Sequence, residues 1–333
     1  MSEEAAARRT SKEAAGTRMI LTVTPNPSLD RTYEVPALDR GEVVRATGER
    51  VDPGGKGVNV SRAVAAAGVQ TVAVLPLGGA PGALVAQLLD EQGIEAAPVP
   101  VSGQTRSNIA VAEPDGTLTK INAPGPELSD AERELLLATV GERSRGADWI
   151  ACCGSLPRGL KPFWYAELVA RAHAAGARIA LDTSGPALLA ALAERPDVVK
   201  PNVEELAEAV GRPLATVGDA VAAAEELRKA GAHAVLASLG ADGQLLVDAS
   251  GTYFASAPVA AVRSNVGAGD SSLAGFLIAG GSGPRALASA VAHGAAAVQL
   301  PGSAMPTPAD LAPDAVTVTS EVPLSRVLTE PAA

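Results

Sequence analysis

Residues 148–182 read DWIACCGSLPRGLKPFWYAELVARAHAAGARIALD: a short apolar run, an Ala/Leu-rich stretch with helical spacing, then a second short apolar run. DWIACC and ARIALD are too short for buried helices and apolar at nearly every position, as strands covered on both faces are. FWYAELVARAHAAG is long enough to cross back over a sheet, so the unit reads as strand, crossover helix, parallel strand.

Outward from this unit the same alternation runs from Met19 onward. MILTVT, TVAVLPL, DVVKPN and HAVLASL are strand-like, and PGALVAQLLDEQG and AVAAAEELRKAG are helical. LSDAERELLLATV opens a helix with Ser129 as N-cap and Glu132 three residues on, a capping box. The expected fold class is α/β, a mostly parallel sheet with helices on both faces. Thr32–Val51 and Arg106–Asn122 break the alternation with extended, polar-alternating sequence, and Asp115-Gly116 suits a hairpin turn. They are expected to form a small separate sheet, either a lid or a solvent-facing hairpin. No repeat of 20 to 50 residues is visible. After Thr307 the chain is Pro-rich and weakly patterned and is expected to wrap the surface or fray.

Composition narrows the function. The 333 residues suit one α/β domain with insertions or two average domains, and 47% apolar against 19% charged residues makes a globular chain. With three Phe, two Trp and three Tyr, the core must be built from Ala, Val and Leu, and stacking platforms for bases are scarce. A net charge of −10 without a Lys/Arg block argues against nucleic acid, while converging cations and helix N-termini could still hold a small polyanion. Cys152 and Cys153 are adjacent, form no ordinary disulfide and lack metal-ligand spacing, which suits a reducing compartment. The uncharged stretches, such as 286–309, are interrupted by His293, Gly294, Pro301 and Gly302, so no membrane span is expected. Residues 1–18 lack the apolar core of a secretory signal and read as a loose tail on a cytoplasmic protein.

Several motifs can carry chemistry. VDPGGKGVN is not a Walker A loop, because Arg50 and Gly57 stand where Gly and Ser/Thr are needed. Gly54, Gly55 and Gly57 nevertheless allow close backbone approach, Lys56 is a point charge, and Asn59 could bond a hydroxyl; a plain glycine turn with a solvated Lys is the alternative. In SNVGAGDSSL, Gly267, Ala268 and Gly269 aim backbone amides beside Asp270, which suits phosphoryl transfer or a simple Asp N-cap. A dinucleotide fingerprint starting at Gly267 would need Gly at Ser272. Asn202 and Glu205 could hold hydrated Mg²⁺ or simply cap a helix. SLGADG, with Ser238, Gly240 and Gly243, is a tight turn after a strand that could cradle phosphate. Asp30 could bind sugar hydroxyls and Arg106 a phosphate, or each could belong to a surface ion pair.

Taken in order, NPSLD, GGKGVN, TRSN, GSLP, KPNVEE, SLGADG and VGAGD resemble the ribokinase-like sugar kinases of the phosphofructokinase-B family, over about Met19 to Thr307. The resemblance implies a three-layer α/β/α domain over 19–315 with a β-sheet lid (31–51 and 106–122), a C-terminal tail over 316–333, ATP and Mg²⁺. It implies Asp270 as catalytic base and Gly267, Ala268 and Gly269 as anion hole. Asp30, Gly54, Gly55, Lys56, Asn59, Arg106, Asn108 and Ser155 would bind substrate; Lys200, Asn202, Ser238, Gly240 and Gly243 would serve ATP, with Asn202 and Glu205 reaching Mg²⁺ through water. Lys56 together with Arg106 implies the branch acting on ketose phosphates. NPSLDRTYEV and RGEVVRATG are more similar to its fructose 1-phosphate members than to those taking tagatose 6-phosphate or fructose 6-phosphate. The family often pairs lids into a homodimer. Cys153 stands where the family usually has Ser, and Asn265 where Thr is more common; Cys153 is expected to be a buried strand residue. Two other classes stay open: a sugar-phosphate sensor that performs no transfer, and a nicotinamide-dependent Rossmann enzyme, disfavoured because no strand leads into GxGxxG.

Overall fold

The computed structural model describes residues 19–332, so the expected tail over 1–18 lies outside the described residues. In chain order the strands are β1 (Met19–Val23), β2 (Ser28–Glu34), β3 (Gly48–Gly54), β4 (Gln70–Leu77), β5 (Glu95–Pro100), β6 (Arg106–Ala112) and β7 (Leu118–Ile121). There follow β8 (Trp149–Cys153), β9 (Arg178–Asp182), β10 (Val198–Val199), β11 (Leu214–Thr216), β12 (Ala234–Ser238), β13 (Gln244–Asp248), β14 (Gly251–Ser256), β15 (Thr317–Thr319) and β16 (Val327–Ala332).

Ten of them form one sheet in the order β15-β14-β13-β12-β10-β9-β8-β1-β4-β5. From β12 to β5 every pair is parallel, and β13, β14 and β15 add an antiparallel edge. Successive side chains on β8 divide between two cores: Ile150 and Cys152 pack on one face, Trp149, Ala151 and Cys153 on the other. That is why the strands read as apolar at every position rather than alternating. Cys153 is fully buried, as expected of a strand residue.

The helices Lys56–Ala66, Ala268–Ile278 and Gly283–Ala297 cover one face through small residues such as Ala63, Ala274 and Ala290. Gly275 brings the last two together so closely that a Cβ there would collide with the His293 ring. The helix Asp130–Arg143 starts at the expected capping box, with Glu132 N donating to Ser129 Oγ and Ser129 N to Glu132 Oε2. Hydrogen bonds from Ser102 and Ser129 hold the Glu132 carboxyl down at about 2. Among the described residues no helix is long and apolar enough to cross a membrane.

β3-β2-β6-β7 form the small separate sheet, in which β2 and β6 run parallel. Its hairpin turns at Asp115-Gly116, where Asp115 Oδ1 accepts from Thr117 N at 2.8 Å. The sheet is rooted at Ser28, which lies opposite both Gly54 and Arg106.

A tail is expected over 316–333, but the described part of it, 316–332, contributes two paired strands. β15 extends the main sheet beside β14, and β16 pairs antiparallel with β11. These short runs lack periodicity of their own and are ordered by distant partners: Leu328 is buried in the main core, and Thr329 N donates to the buried Asp242 Oδ2 at 2.6 Å. Gly275→Val would force apart the two helices behind the main sheet, and its expected cost is about 1–3 kcal/mol, read as a lower urea midpoint with an unchanged slope.

Candidate active site

Parallel α/β sheets present their strand ends and helix starts along one edge, where ligands bind. Here that edge gathers Thr24 and Asn26 after β1, Gly154 and Ser155 after β8, Asp182 at the end of β9, Lys200 after β10 and Ser238 at the end of β12. The small sheet meets this edge at its root. Between them lies a cavity of about 610 Å³ that brings together Asp30, Gly55, Lys56, Asn59, Arg106, Asn108, Ser155 and Glu205, all singled out in the sequence.

The glycines of GGKG have a more structural part than ligand approach alone. A Cβ on Gly54 would overlap the Asp30 carboxylate, and one on Gly57 would overlap Thr24 Oγ1. Gly55 has φ of 120°, a conformation that L side chains rarely adopt. These constraints set Lys56 at the first turn of its helix, facing the ends of β9 and β10.

Lys56 Nζ lies 2.7 Å from Asp182 Oδ1 and 3.4 Å from Glu205 Oε1. Lys200 Nζ lies 2.9 Å from the other oxygen, Asp182 Oδ2, as an ion pair off the hydrogen-bond direction. Asp182 has no solvent exposure. Burial pushes its carboxyl up, but Lys200 and Lys56 more than reverse this, so it ends below its ordinary value. Burial is the largest influence on both lysines and opposes their charge, but the acids around them together outweigh it, Asp182 and Asp270 for both and Glu205 for Lys56, so both are raised. Sequence reasoning missed Asp182. Its signal was an acid closing the apolar run ARIALD, where a charge has no place unless cations meet it.

Asp270 sits in the first turn of Ala268–Ile278, after Gly267 in the left-handed region with φ of 78°. Asn59 Nδ2 donates to its Oδ2 at 2.9 Å, so the two glycine-rich motifs meet in space. Burial foremost, then the Asp182 charge, pushes the Asp270 carboxyl up to about 6, against Asn59, Lys200 and Lys56. Lys200 lies under the turn, where a Cβ on Gly269 would approach its Nζ to 3.3 Å.

Asp30 Oδ1 accepts from Ser28 Oγ at 2.6 Å and Asn108 Nδ2 at 3.0 Å. Arg106 donates from Nη1 to Ala123 O and from Nη2 to Asn26 O, both at 2.9 Å, which braces the root of the small sheet against the β1 loop. Burial lowers the Arg106 pKa, with Asp30 opposing. Asn202 and Glu205 form the reciprocal cap of the helix Val203–Val210, with Glu205 N donating to Asn202 Oδ1 and Asn202 N to Glu205 Oε2. Among the described residues no three His, Cys, Asp or Glu side chains converge as a metal cage. A divalent ion held by so few protein ligands keeps several waters. Ser238, Gly240 and Gly243 lie outside the cavity, beyond Asn202, on a turn whose Asp242 is tied to Arg326 and Thr329.

The sequence model described as pfkB family carbohydrate kinase matches residues 24–310. A 1-phosphofructokinase of Rhodobacter capsulatus is 41% identical over 263 residues, 78% of this chain and 83% of that protein. One of Bacillus subtilis is 37% identical over 259 residues, 78% of this chain and 84% of that protein. The crystal structure of phosphofructokinase-2 from Escherichia coli in complex with potassium is similar with a TM-score of 0.83 and 34% identity, over 88% of this chain and 96% of that one. The fold is therefore the ribokinase-like one.

Asp182→Asn would leave Lys200 buried without its counter-charge. Its expected cost is about 3 kcal/mol in urea unfolding at neutral pH, against near zero for loss of an exposed pair such as Arg31–Glu49.

Proposed function

The chain belongs to the pfkB family of carbohydrate kinases, and on that premise we propose that it transfers the γ-phosphoryl group of ATP to fructose 1-phosphate, giving fructose 1,6-bisphosphate and ADP. The observation that carries this reading is the pairing of a buried carboxylate of raised pKa, Asp270, with a cavity that holds both Lys56 and Arg106. Asp270 takes the proton of the sugar's free hydroxyl as its oxygen bonds to the γ-phosphorus and the bond to the β-phosphate oxygen breaks. The amides of Gly267, Ala268 and Gly269 receive the charge that develops on the transferred group. Lys56 and Arg106 hold the phosphate already on the sugar, while Asp30, Asn59, Asn108 and Ser155 orient its hydroxyls. The small sheet closes over the cavity and keeps water from competing.

Ser238, Gly240 and Gly243 serve the nucleotide, as does Lys200, which holds the turn from beneath. A magnesium ion would supply positive charge against the phosphates of ATP. Glu205 and Asn202 hold it through water. The outer face of the lid pairs with a second copy of this chain, and the opposed Ile109 and Ile121, both exposed, supply the apolar contact.

The acid limb of kcat/KM is expected near pH 6, because the base of the free protein must be ionised and its carboxyl lies at about 6; kcat/KM falls about tenfold for each pH unit below that value. Asp270→Asn is expected to lower kcat by about a hundredfold or more with sugar-phosphate affinity retained, and undiminished turnover would remove Asp270 from the role. In a coupled assay, fructose 1-phosphate is expected to outpace tagatose 6-phosphate, fructose 6-phosphate and free fructose. Lys56→Met is expected to erase most of the preference over free fructose, and equal wild-type rates on both sugars would refute the role of Lys56.

A further inference from the structure

Arg62 lies three residues after Asn59 on the same helix and is not part of the cavity wall. Its side chain is only 10% exposed, an unusual place for a guanidinium unless each nitrogen is met. The three nitrogens face three acceptors, two through hydrogen bonds and the third through a longer ion pair. Nε donates to Gln92 Oε1 at 3.0 Å, Nη1 donates to Asn59 Oδ1 at 3.4 Å, and Nη2 lies 3.9 Å from Asp52 Oδ1 on β3 of the small sheet. Asp52 is itself held by Arg50 Nε at 2.7 Å and Ser303 Oγ at 3.3 Å.

The contact with Asn59 decides which end of that carboxamide faces the active site. With Oδ1 turned to the guanidinium, Nδ2 is left to donate to Asp270 Oδ2 at 2.9 Å. The flipped amide would set an N–H group against a cation and an oxygen against a carboxylate, both unfavourable. One oxygen of Asp270 is thereby engaged and the other is kept for a proton. We propose that Arg62 is a positioning residue for the phosphoryl-transfer step: anchored on Asp52 of the lid sheet, it fixes the Asn59 carboxamide and, through it, the catalytic carboxylate Asp270. This rests on the assignment of Asp270 as base. It extends that assignment to a residue that touches neither substrate nor Asp270, and it links a lid carboxylate to the base.

The charges facing the array are Asp52, Asp30 and Arg50 around Arg62, and Asp182, Lys200 and Lys56 around Asp270. Asn59 is the neutral group among those that favour the ionised base. If the amide is no longer held, that donation weakens, and Asp270 ionises at higher pH.

The test compares wild type, Arg62→Met, Asn59→Ala, the double variant and Asp270→Asn as full chains, with ATP and fructose 1-phosphate, between about pH 5 and 8. Expected for R62M are a kcat lower by about tenfold or more, a KM for the sugar phosphate within about threefold of wild type, and an acid limb moved to higher pH. The double variant is expected to be no slower than N59A alone, since Arg62 acts through Asn59. A merely structural Arg62 would lower the melting temperature without moving the acid limb. Wild-type kcat and acid limb in R62M, or a double-variant loss equal to the product of the single losses, overturns the inference. If R62M does not accumulate folded, Arg62→Lys is read in its place: one ammonium cannot serve three partners, so the same directions are expected, and wild-type values again overturn the inference. Retained turnover in D270N would instead overturn the base assignment on which this rests.

Discussion

A carboxylate with no access to water has to be neutralised where it stands, and Asp182 fixes the site by that demand. Lys56 and Lys200 answer it from opposite oxygens, one from a helix start and one from the end of the neighbouring strand. Removing Asp182 leaves the buried Lys200 without its counter-charge, and removing either lysine leaves one Asp182 oxygen unmet, so the strand ends, the glycine turn that delivers Lys56, and the packing under Gly269 are mutually constrained. Asp270 lies beside this array and is influenced by it from both directions: Asp182 raises its pKa and the two lysines lower it. Burial tips the balance, and the carboxyl comes to rest near neutrality, where a base for a sugar hydroxyl is useful.

The same constraint explains the division of the glycines. Those at 54 and 57 are required because Asp30 and Thr24 occupy the space a side chain would need, so they fit protein against protein. Gly267 takes a left-handed conformation that turns the chain into the helix bearing Asp270, and Gly269 leaves room for Lys200 beneath it. The two glycine-rich motifs, far apart in sequence, are joined by the bond from Asn59 to Asp270. Arg106 braces the root of the small sheet through two backbone carbonyls, which couples that sheet to the same cavity.

Much of the fold was legible because its signals are local. Apolar runs such as WIACC are strands with both faces buried, Ser129 and Glu132 cap a helix as their spacing requires, and Asp115-Gly116 turns the hairpin of the small sheet. Signals that depend on distant partners were lost. β15 and β16 are too short to show a period and owe their order to β14, β11 and Asp242. Asp182 was missed, because the two lysines that give its acid a meaning come from elsewhere in the chain. Arg62 was not singled out, because Asp52 and Gln92 reach it only in the folded protein. Asn202 and Glu205 were legible as a pair, and the structure realises them first as a helix cap.

The central claim is that the cavity accepts a sugar phosphate and that Asp270 directs transfer to its free hydroxyl rather than to water. The most direct measurement is ³¹P NMR of the protein with ATP, magnesium and fructose 1-phosphate. The account predicts a new sugar 6-phosphate resonance growing in step with ADP, with inorganic phosphate a minor product. Growth of ADP and inorganic phosphate without a second sugar phosphate, or no change in the ATP signals, would contradict it.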